Sequence, residues 1–283
     1  HEMLDHRLTD FGITTTFVDT ADIESVNVAI QENTRLIYFE SIANPTMKVA
    51  DMNALVEVAR QHEVLTVCDN TFASPCVIRP LEWGVDLVVE SATKFISGHS
   101  DVIGGAICMK SEKLPADFLE QIRWDTMVKW GSPLAPFNAW LLLRSMQTLS
   151  IRVERQCQSA MKLANHFAQH EKVNRVWYPG LASHAQHALA KMQMPTFGGM
   201  LSFDVGNADK ALKVLDGLRL ACFAASLGGV RTTTQIPASM AFLDISEDER
   251  RQMGISDGMI RVSVGIEDID DLIEDFDRAF ALV

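Results

Sequence analysis

Two short apolar runs in this 283-residue sequence end directly in groups that could do chemistry. Leu65-Thr-Val-Cys68 runs into Asp69-Asn70-Thr71, and Val85-Asp-Leu-Val-Val89 runs into Glu90-Ser91-Ala92-Thr93-Lys94. The first run delivers a carboxylate; the second delivers two hydroxyls and an amine. A lysine ammonium beside an apolar strand is costly unless it is paired or neutralised. Imine formation with an aldehyde removes that charge, so the pattern points to carbonyl chemistry at a lysine.

An aldehyde cofactor such as pyridoxal phosphate (PLP) needs a defined set of partners. A lysine amine attaches it, a carboxylate keeps its ring nitrogen protonated, and hydroxyls with backbone N–H groups hold its phosphate. An arginine grips the substrate carboxylate through two parallel hydrogen bonds. Lys94, Asp69, Ser91 with Thr93, and Arg261 in Arg261-Val-Ser-Val-Gly265 could supply these groups. Each also has a plainer reading. Asp69 could cap a turn, Ser91 and Thr93 could cap a helix, and Lys94 could be a solvated loop lysine. Arg261 could pair with Glu267 or Asp268 at the surface. Residue types and spacing alone lead to a ligand site on an α/β sheet and no further.

The elements that must position these groups follow from the hydrophobic pattern. Strands are expected at 14–18, 35–39, 65–68, 85–89 and 105–109, with helical stretches near 22–31, 51–61 and 81–84. Apolar strands separated by helices imply a mostly parallel sheet covered on both faces. Such sheets hold ligands at the carboxyl ends of their strands, here just after Phe39, Cys68 and Val89. A stretch rich in Trp, Pro and Gly (Trp124, Trp130, Gly131, Pro133, Pro136) precedes helical patterns at 137–148 and 152–170. Short strands at 175–178, 200–204, 222–225 and 259–264 follow, with helices between them and a last helix at 269–280. This second part reads as α+β, which gives a large domain over 1–150 and a smaller one over 151–283.

A net charge of −12 argues against a nucleic-acid surface. No apolar run approaches the roughly 20 residues of a membrane helix. The five cysteines lack metal-like spacing, so no metal site is expected. Cys68 and Cys108 read as core thiols, which suits a reducing cytoplasm. Met3, Leu4, Leu8 and Phe11 are spaced as in a helix already under way, with Gly12 as its C-cap, so a chain missing its front is expected.

The fifteen-residue stretch Asp86-Leu-Val-Val-Glu-Ser-Ala-Thr-Lys-Phe-Ile-Ser-Gly-His-Ser100 resembles the PLP-attachment motif of the Cys/Met-metabolism enzymes. These include cystathionine γ-synthase, cystathionine lyases, methionine γ-lyase and the homoserine sulfhydrylases. Further blocks are similar to the family in its own order: Glu40-Ser-Ile-Ala-Asn-Pro-Thr46, Ser226-Leu-Gly-Gly229 with Pro237-Ala-Ser-Met240, and Ile260-Arg-Val-Ser-Val-Gly-Ile-Glu267. The resemblance implies a PLP fold type I (aspartate aminotransferase-like) large domain with a C-terminal α+β domain. It further implies that Lys94 attaches the cofactor and shuttles protons, that Asp69 pairs with the ring nitrogen, and that Ser91 and Thr93 contact the phosphate. Asn44 would sit by the cofactor's phenolic oxygen and the substrate carboxylate, which Arg261 would bind with Ser226 beside it. Thr71 is as readily a packing residue, and His99 is expected to be structural.

The activity implied is cleavage of C–S bonds in methionine, cystathionine or cysteine by γ- or β-elimination. Alternatives are γ-replacement, as in cystathionine γ-synthase or an O-acyl-homoserine sulfhydrylase, and a non-catalytic remnant that associates with complete subunits. A homotetramer built as a dimer of dimers is implied, with the stretch Trp124 to Trp140 as candidate interface or active-site wall. Two departures stand out. The family carries a further segment ahead of this start, and Arg231 occupies a position where members often have glutamate. The arginine is expected either to favour substrates with a distal anion or to pair with Asp244 or Glu247.

Overall fold

The computed structural model describes residues 3–283, and in it three of the apolar runs pair as parallel strands. These are β1 (Leu36–Glu40), β2 (Leu65–Asp69) and β3 (Leu87–Glu90), with Leu36 opposite Leu65 and Val67 opposite Leu87. β4 (Ala106–Met109) closes one edge antiparallel to β3. Helices α1 (Ile23–Ala29) and α2 (Met52–Gln61) begin at Asp22 and Asp51, whose carboxylates accept from the N–H groups of Ser25 and Ala54. Those bonds satisfy backbone donors that the first helical turn leaves free. On α2, Met52, Leu55, Val58 and Ala59 recur at helical spacing and are buried. β1 buries Ile37 and Phe39 and leaves Leu36 and Tyr38 on a more open face.

After α3 (Phe118–Ile122) and α4 (Pro136–Met146), the long helix α5 (Leu149–Gln169) links two cores. Its Leu149, Val153 and Cys157 pack into the first; Ala160, Leu163, Ala164 and Phe167 pack into the second. The second core rests on a five-stranded sheet with the order β5 (Arg175–Trp177), β6 (Met200–Asp204), β9 (Met259–Ser263), β8 (Thr233–Gln235), β7 (Cys222–Phe223). Short helices α6 (His187–Gln193), α7 (Ala208–Gly217), α8 (Pro237–Met240) and α9 (Glu247–Gln252) connect these strands, and α10 (Ile269–Phe280) follows the last. Four buried rings lock the layers: Phe167 lies 4.7 Å from Phe203, 4.9 Å from Phe276 and 5.5 Å from Phe280, centroid to centroid. Full burial of each is worth about 1.5–3 kcal/mol.

Several expectations need correction. Residues 14–18 form no strand, because β propensity counts only where a segment is built into a sheet, and Phe17 stays about half exposed. The stretch near 81–84 is a single 3₁₀ turn, Pro80–Trp83. Cys68 is buried as expected, but Cys108 is exposed, since β4 is an edge strand open on that side. Met3–Arg7 form a π turn and Leu8–Phe11 a 3₁₀ turn, which Gly12 does end in the left-handed conformation (φ 74°). Trp124, Trp130, Phe137 and Trp140 are all more than half exposed, so this stretch is not core. Among the described residues, no helix is long and apolar enough to cross a membrane.

Candidate active site

β1, β2 and β3 each end in an acid: Glu40, Asp69 and Glu90. Parallel pairing sets Glu40 beside Asp69 and Val89 beside Asp69, so the three carboxyls share one sheet edge. Asp69 accepts from the Thr71 N–H at 3.0 Å and from the Tyr38 hydroxyl at 3.2 Å. Its turn-capping role is therefore real, and it leaves the carboxylate at the ligand edge. Glu90 is buried and accepts from Asn70 Nδ2 at 2.9 Å. Burial, reinforced by the charge of Asp69 and opposed by the Asn70 bond, pushes its carboxyl up to about 7. Burial also raises Glu40, which accepts from the Asn44 N–H at 3.0 Å.

Lys94 follows β3 in a tight turn whose N–H donates to the Ser91 carbonyl at 3.0 Å. Its Nζ donates to Ser226 Oγ at 3.0 Å. Burial, with the Arg261 charge adding to it, lowers the Lys94 ammonium below the ordinary lysine range. The amine is thus biased toward its neutral, reactive form. Ser226 sits at φ 89°, a left-handed conformation that costs a non-glycine residue about 1–3 kcal/mol. The loop after it runs against the Lys94 backbone: a Cβ on Gly228 would stand 2.5 Å from the Phe95 nitrogen. Only glycine permits that approach.

A buried arginine on α5 holds the lysine turn from the other side. Arg152 donates to the carbonyls of Phe95 (2.8 Å), Ile96 (3.1 Å) and Ser145 (3.1 Å). One turn on, Gln156 Nε2 donates to the Gly229 carbonyl at 2.8 Å. Helix α5 therefore fixes both the turn that carries Lys94 and the loop that carries Ser226.

Arg261, on β9, is only 4% exposed. It donates to Asn44 Oδ1 (3.1 Å), to the Ser226 carbonyl (2.8 Å) and to Gln235 Oε1 (2.6 Å). The surface pairing with Glu267 or Asp268 does not occur, because β9 is the central strand and points this side chain inward. Glu267 instead accepts from the Thr232 N–H at 2.6 Å and its hydroxyl at 2.8 Å. Gln235, which the sequence reading passed over, lies opposite Arg261 in the β8–β9 register. The β-branched run Thr232-Thr-Thr234 is the signal that could have revealed β8. All three acceptors on the guanidinium are neutral, its Nε is buried without a partner, and burial lowers its pKa to about 10. A buried cation served only by neutral oxygens lacks a counter-charge, and a carboxylate would supply it.

The remaining expected residues fall nearby. The Ser91 N–H donates to Thr71 Oγ1 at 2.8 Å, which gives Thr71 a packing role. Thr93 Oγ1 accepts from the Gly104 N–H at 3.0 Å and donates to the Gly104 carbonyl at 3.3 Å, so this hydroxyl pins a loop. His99 is exposed and its Nδ1 meets the Ser97 carbonyl at 2.7 Å, a local backbone contact in line with a structural role. Arg231 meets neither Asp244 nor Glu247; its Nη2 donates to Cys222 Sγ at 2.9 Å. Among the described residues, no cluster of His, Cys, Asp or Glu is arranged to hold a metal.

Lys94, Ser226, Asn44 and Arg261 are thus joined in one hydrogen-bonded chain, with Asp69 at the adjoining strand end. This donor set suits PLP. A depressed amine can take its aldehyde, an ionisable carboxyl can meet its ring nitrogen, and an uncompensated guanidinium can meet an amino-acid carboxylate.

Comparison with known proteins identifies the family. Residues 1–281 match the model of the Cys/Met metabolism PLP-dependent enzymes. The chain is 43% identical to a cystathionine beta-lyase of Coxiella burnetii over 95% of its own length and 68% of that protein's. It is 42% identical to an L-methionine gamma-lyase of Fusobacterium nucleatum subsp. polymorphum, over 96% of this chain and 69% of the other. Among solved structures, cystathionine gamma-lyase from Lactobacillus plantarum with L-serine superposes at TM-score 0.94 and 38% identity, covering 100% of this chain and 73% of that one. An assigned O-acetylhomoserine (thiol)-lyase from Campylobacter jejuni, carrying pyridoxyl-lysine monophosphate, superposes at 0.96 and 32% identity, covering 99% of this chain and 74% of the other.

Proposed function

Because the chain belongs to the Cys/Met-metabolism family of PLP-dependent enzymes, we propose that it eliminates sulfur from methionine, cystathionine or cysteine by γ- or β-elimination, with Lys94 as the residue that moves the protons. The observation that supports this most is the buried Arg261, held by neutral acceptors within the same hydrogen-bonded chain as a depressed Lys94. Bound PLP supplies an electron sink that makes the substrate Cα proton acidic. Lys94 is the amine that attaches it, Asp69 the carboxylate for its ring nitrogen, and Ser91 with Thr93 the hydroxyls on its phosphate side.

The chain's own residues then divide the work. Arg261 receives the substrate α-carboxylate, and Asn44 and Ser226 flank it. Ser226 Oγ holds the Lys94 amine 3.0 Å away and aims its lone pair once the amine is free. Lys94 takes the Cα proton; a leaving group on Cβ departs directly. For a leaving group on Cγ a second proton must be removed, from Cβ, after the first has been passed on from Lys94 without going back to Cα; Lys94 is the base in reach of both, so one base serves both eliminations.

The chain is a subunit of a homotetramer built as a dimer of dimers, for which the exposed aromatic surface around Trp124, Trp130 and Trp140 is the supporting feature. Its five free cysteines suit a reducing cytoplasm. The test is product analysis with methionine, cystathionine and cysteine, with and without an added thiol. Release of a 2-oxo acid and ammonia without thiol supports elimination. Thiol-dependent formation of a new thioether would instead establish replacement. Lys94→Ala should lose nearly all turnover and the borohydride-reducible link to the cofactor; retention of that link would place attachment at another lysine.

A further inference from the structure

Each carboxylate oxygen of Asp69 carries a donor of its own. The Tyr38 hydroxyl donates to Asp69 Oδ2 at 3.2 Å, while the Thr71 N–H donates to Oδ1 at 3.0 Å. The β1–β2 register sets Tyr38 opposite Val67 and Glu40 opposite Asp69. Side chains alternate along a strand, so Tyr38, Glu40, Val67 and Asp69 share one face, and the tyrosine ring reaches one pair along. An ionised carboxylate only accepts, so the phenol must be the donor.

We propose that Tyr38 is a positioning residue that keeps Asp69 as the anionic partner of the proton it shares with the cofactor's ring nitrogen. The proposal rests on the role of Asp69 put forward above. A proton between a ring nitrogen and a carboxylate has two resting places, one with both partners charged and one with both neutral. A hydrogen bond donated to the carboxylate stabilises the charged arrangement and weakens the neutral one. Tyr38 and Thr71 supply one such donor to each oxygen of Asp69. The groups around the phenol keep it a donor: its partial burial first, then Asp69, then Glu40 from its own strand and Cys68 from β2, all raise its pKa. Glu90 adds a further acid at the end of β3, in the field of Asp69. Since the electron sink depends on a protonated ring, Tyr38 acts on the reaction through Asp69 without touching substrate.

The test uses the holoenzyme loaded with PLP carrying ¹⁵N at the ring nitrogen, whose chemical shift is followed against pH. On the plateau where the pair holds its shared proton, the ¹⁵N shift of Tyr38→Phe should move toward that of a neutral pyridine, because loss of one hydrogen bond to a charged acceptor changes the balance between the two proton positions by roughly tenfold. Tyr38→3-fluorotyrosine, with a more acidic phenol, should move the plateau shift toward that of a protonated ring. In an Asp69→Ala background the Tyr38→Phe change should vanish, whereas a merely structural role would act in both backgrounds. Unchanged plateau shifts in both Tyr38 variants, or an equal change with and without Asp69, overturn the proposal. If Asp69→Ala alone leaves the nitrogen's titration as in the wild type, the role of Asp69 itself fails, which is a separate result.

Discussion

Replacing Glu90 by glutamine removes a proton-binding group from the end of β3 and little else. The amide oxygen can still accept the 2.9 Å bond from Asn70 Nδ2, and the side chain keeps its shape. In the folded protein, burial and the nearby Asp69 lift the Glu90 carboxyl to about 7. In the unfolded chain it ionises at about 4.3. Between those values the folded state holds a proton that the unfolded state has released, so stability falls as pH rises through the window. It is fully present below about pH 4 and lost by about pH 8, a change of about 4 kcal/mol. Glu90→Gln has no such proton. Its stability relative to wild type should therefore improve by about 2–3 kcal/mol between pH 5 and pH 8. Glu40, also raised by burial, acts in both proteins with the same sign and largely drops out of the difference. Urea unfolding of both cofactor-free proteins at intervals across this range, with matching m-values, measures it. A difference that does not change with pH would show that Glu90 ionises freely in the folded state and refute the reasoning.

Arg261→Lys keeps the charge but loses the planar fork, so KM for an amino-acid substrate should rise about a hundredfold with a smaller change in kcat. Steady-state kinetics checks this, and an unchanged KM would remove Arg261 from the carboxylate site. Arg152→Met leaves the Phe95, Ile96 and Ser145 carbonyls without their donor and should destabilise the fold by about 3 kcal/mol in urea, while also weakening cofactor retention. Phe280→Ala opens a cavity among four rings of the second core and should cost about 3–5 kcal/mol with cofactor absorbance unaltered in the folded protein. Arg231→Glu should leave methionine turnover little changed and move kcat/KM for cystathionine and O-succinylhomoserine in opposite directions; equal changes for all three would mean that Arg231 serves only its Cys222 contact.

Much of the site was legible in advance because its chemistry is local in sequence. Asp69 and the segment from Ser91 to Lys94 each follow an apolar strand directly, and parallel pairing then brings strand ends to one edge as a matter of geometry. The residues that were missed act at a distance. Gln235 matters only because β8 lies beside β9, Arg152 only because α5 crosses behind the Lys94 turn, and Tyr38 only because the register leans it toward Asp69. Nothing in the spacing of those residues marks them. Residues 14–18 show the converse error, a good local β pattern that is not built into either sheet.

The sequence by itself determined most of the element types, the parallel character of the first sheet, the lysine and acid at its carboxyl edge, and the resemblance to PLP enzymes. These follow from hydrophobic period and residue order, which are properties of the chain read along its length. Only the tertiary structure decided that Arg261 faces inward onto Asn44, Ser226 and Gln235 rather than outward onto Glu267. It also decided that Glu90 is buried enough to keep a proton near neutral pH. Both depend on which groups from distant segments exclude water from a side chain, and desolvation is set by the packed surroundings, not by neighbours in sequence.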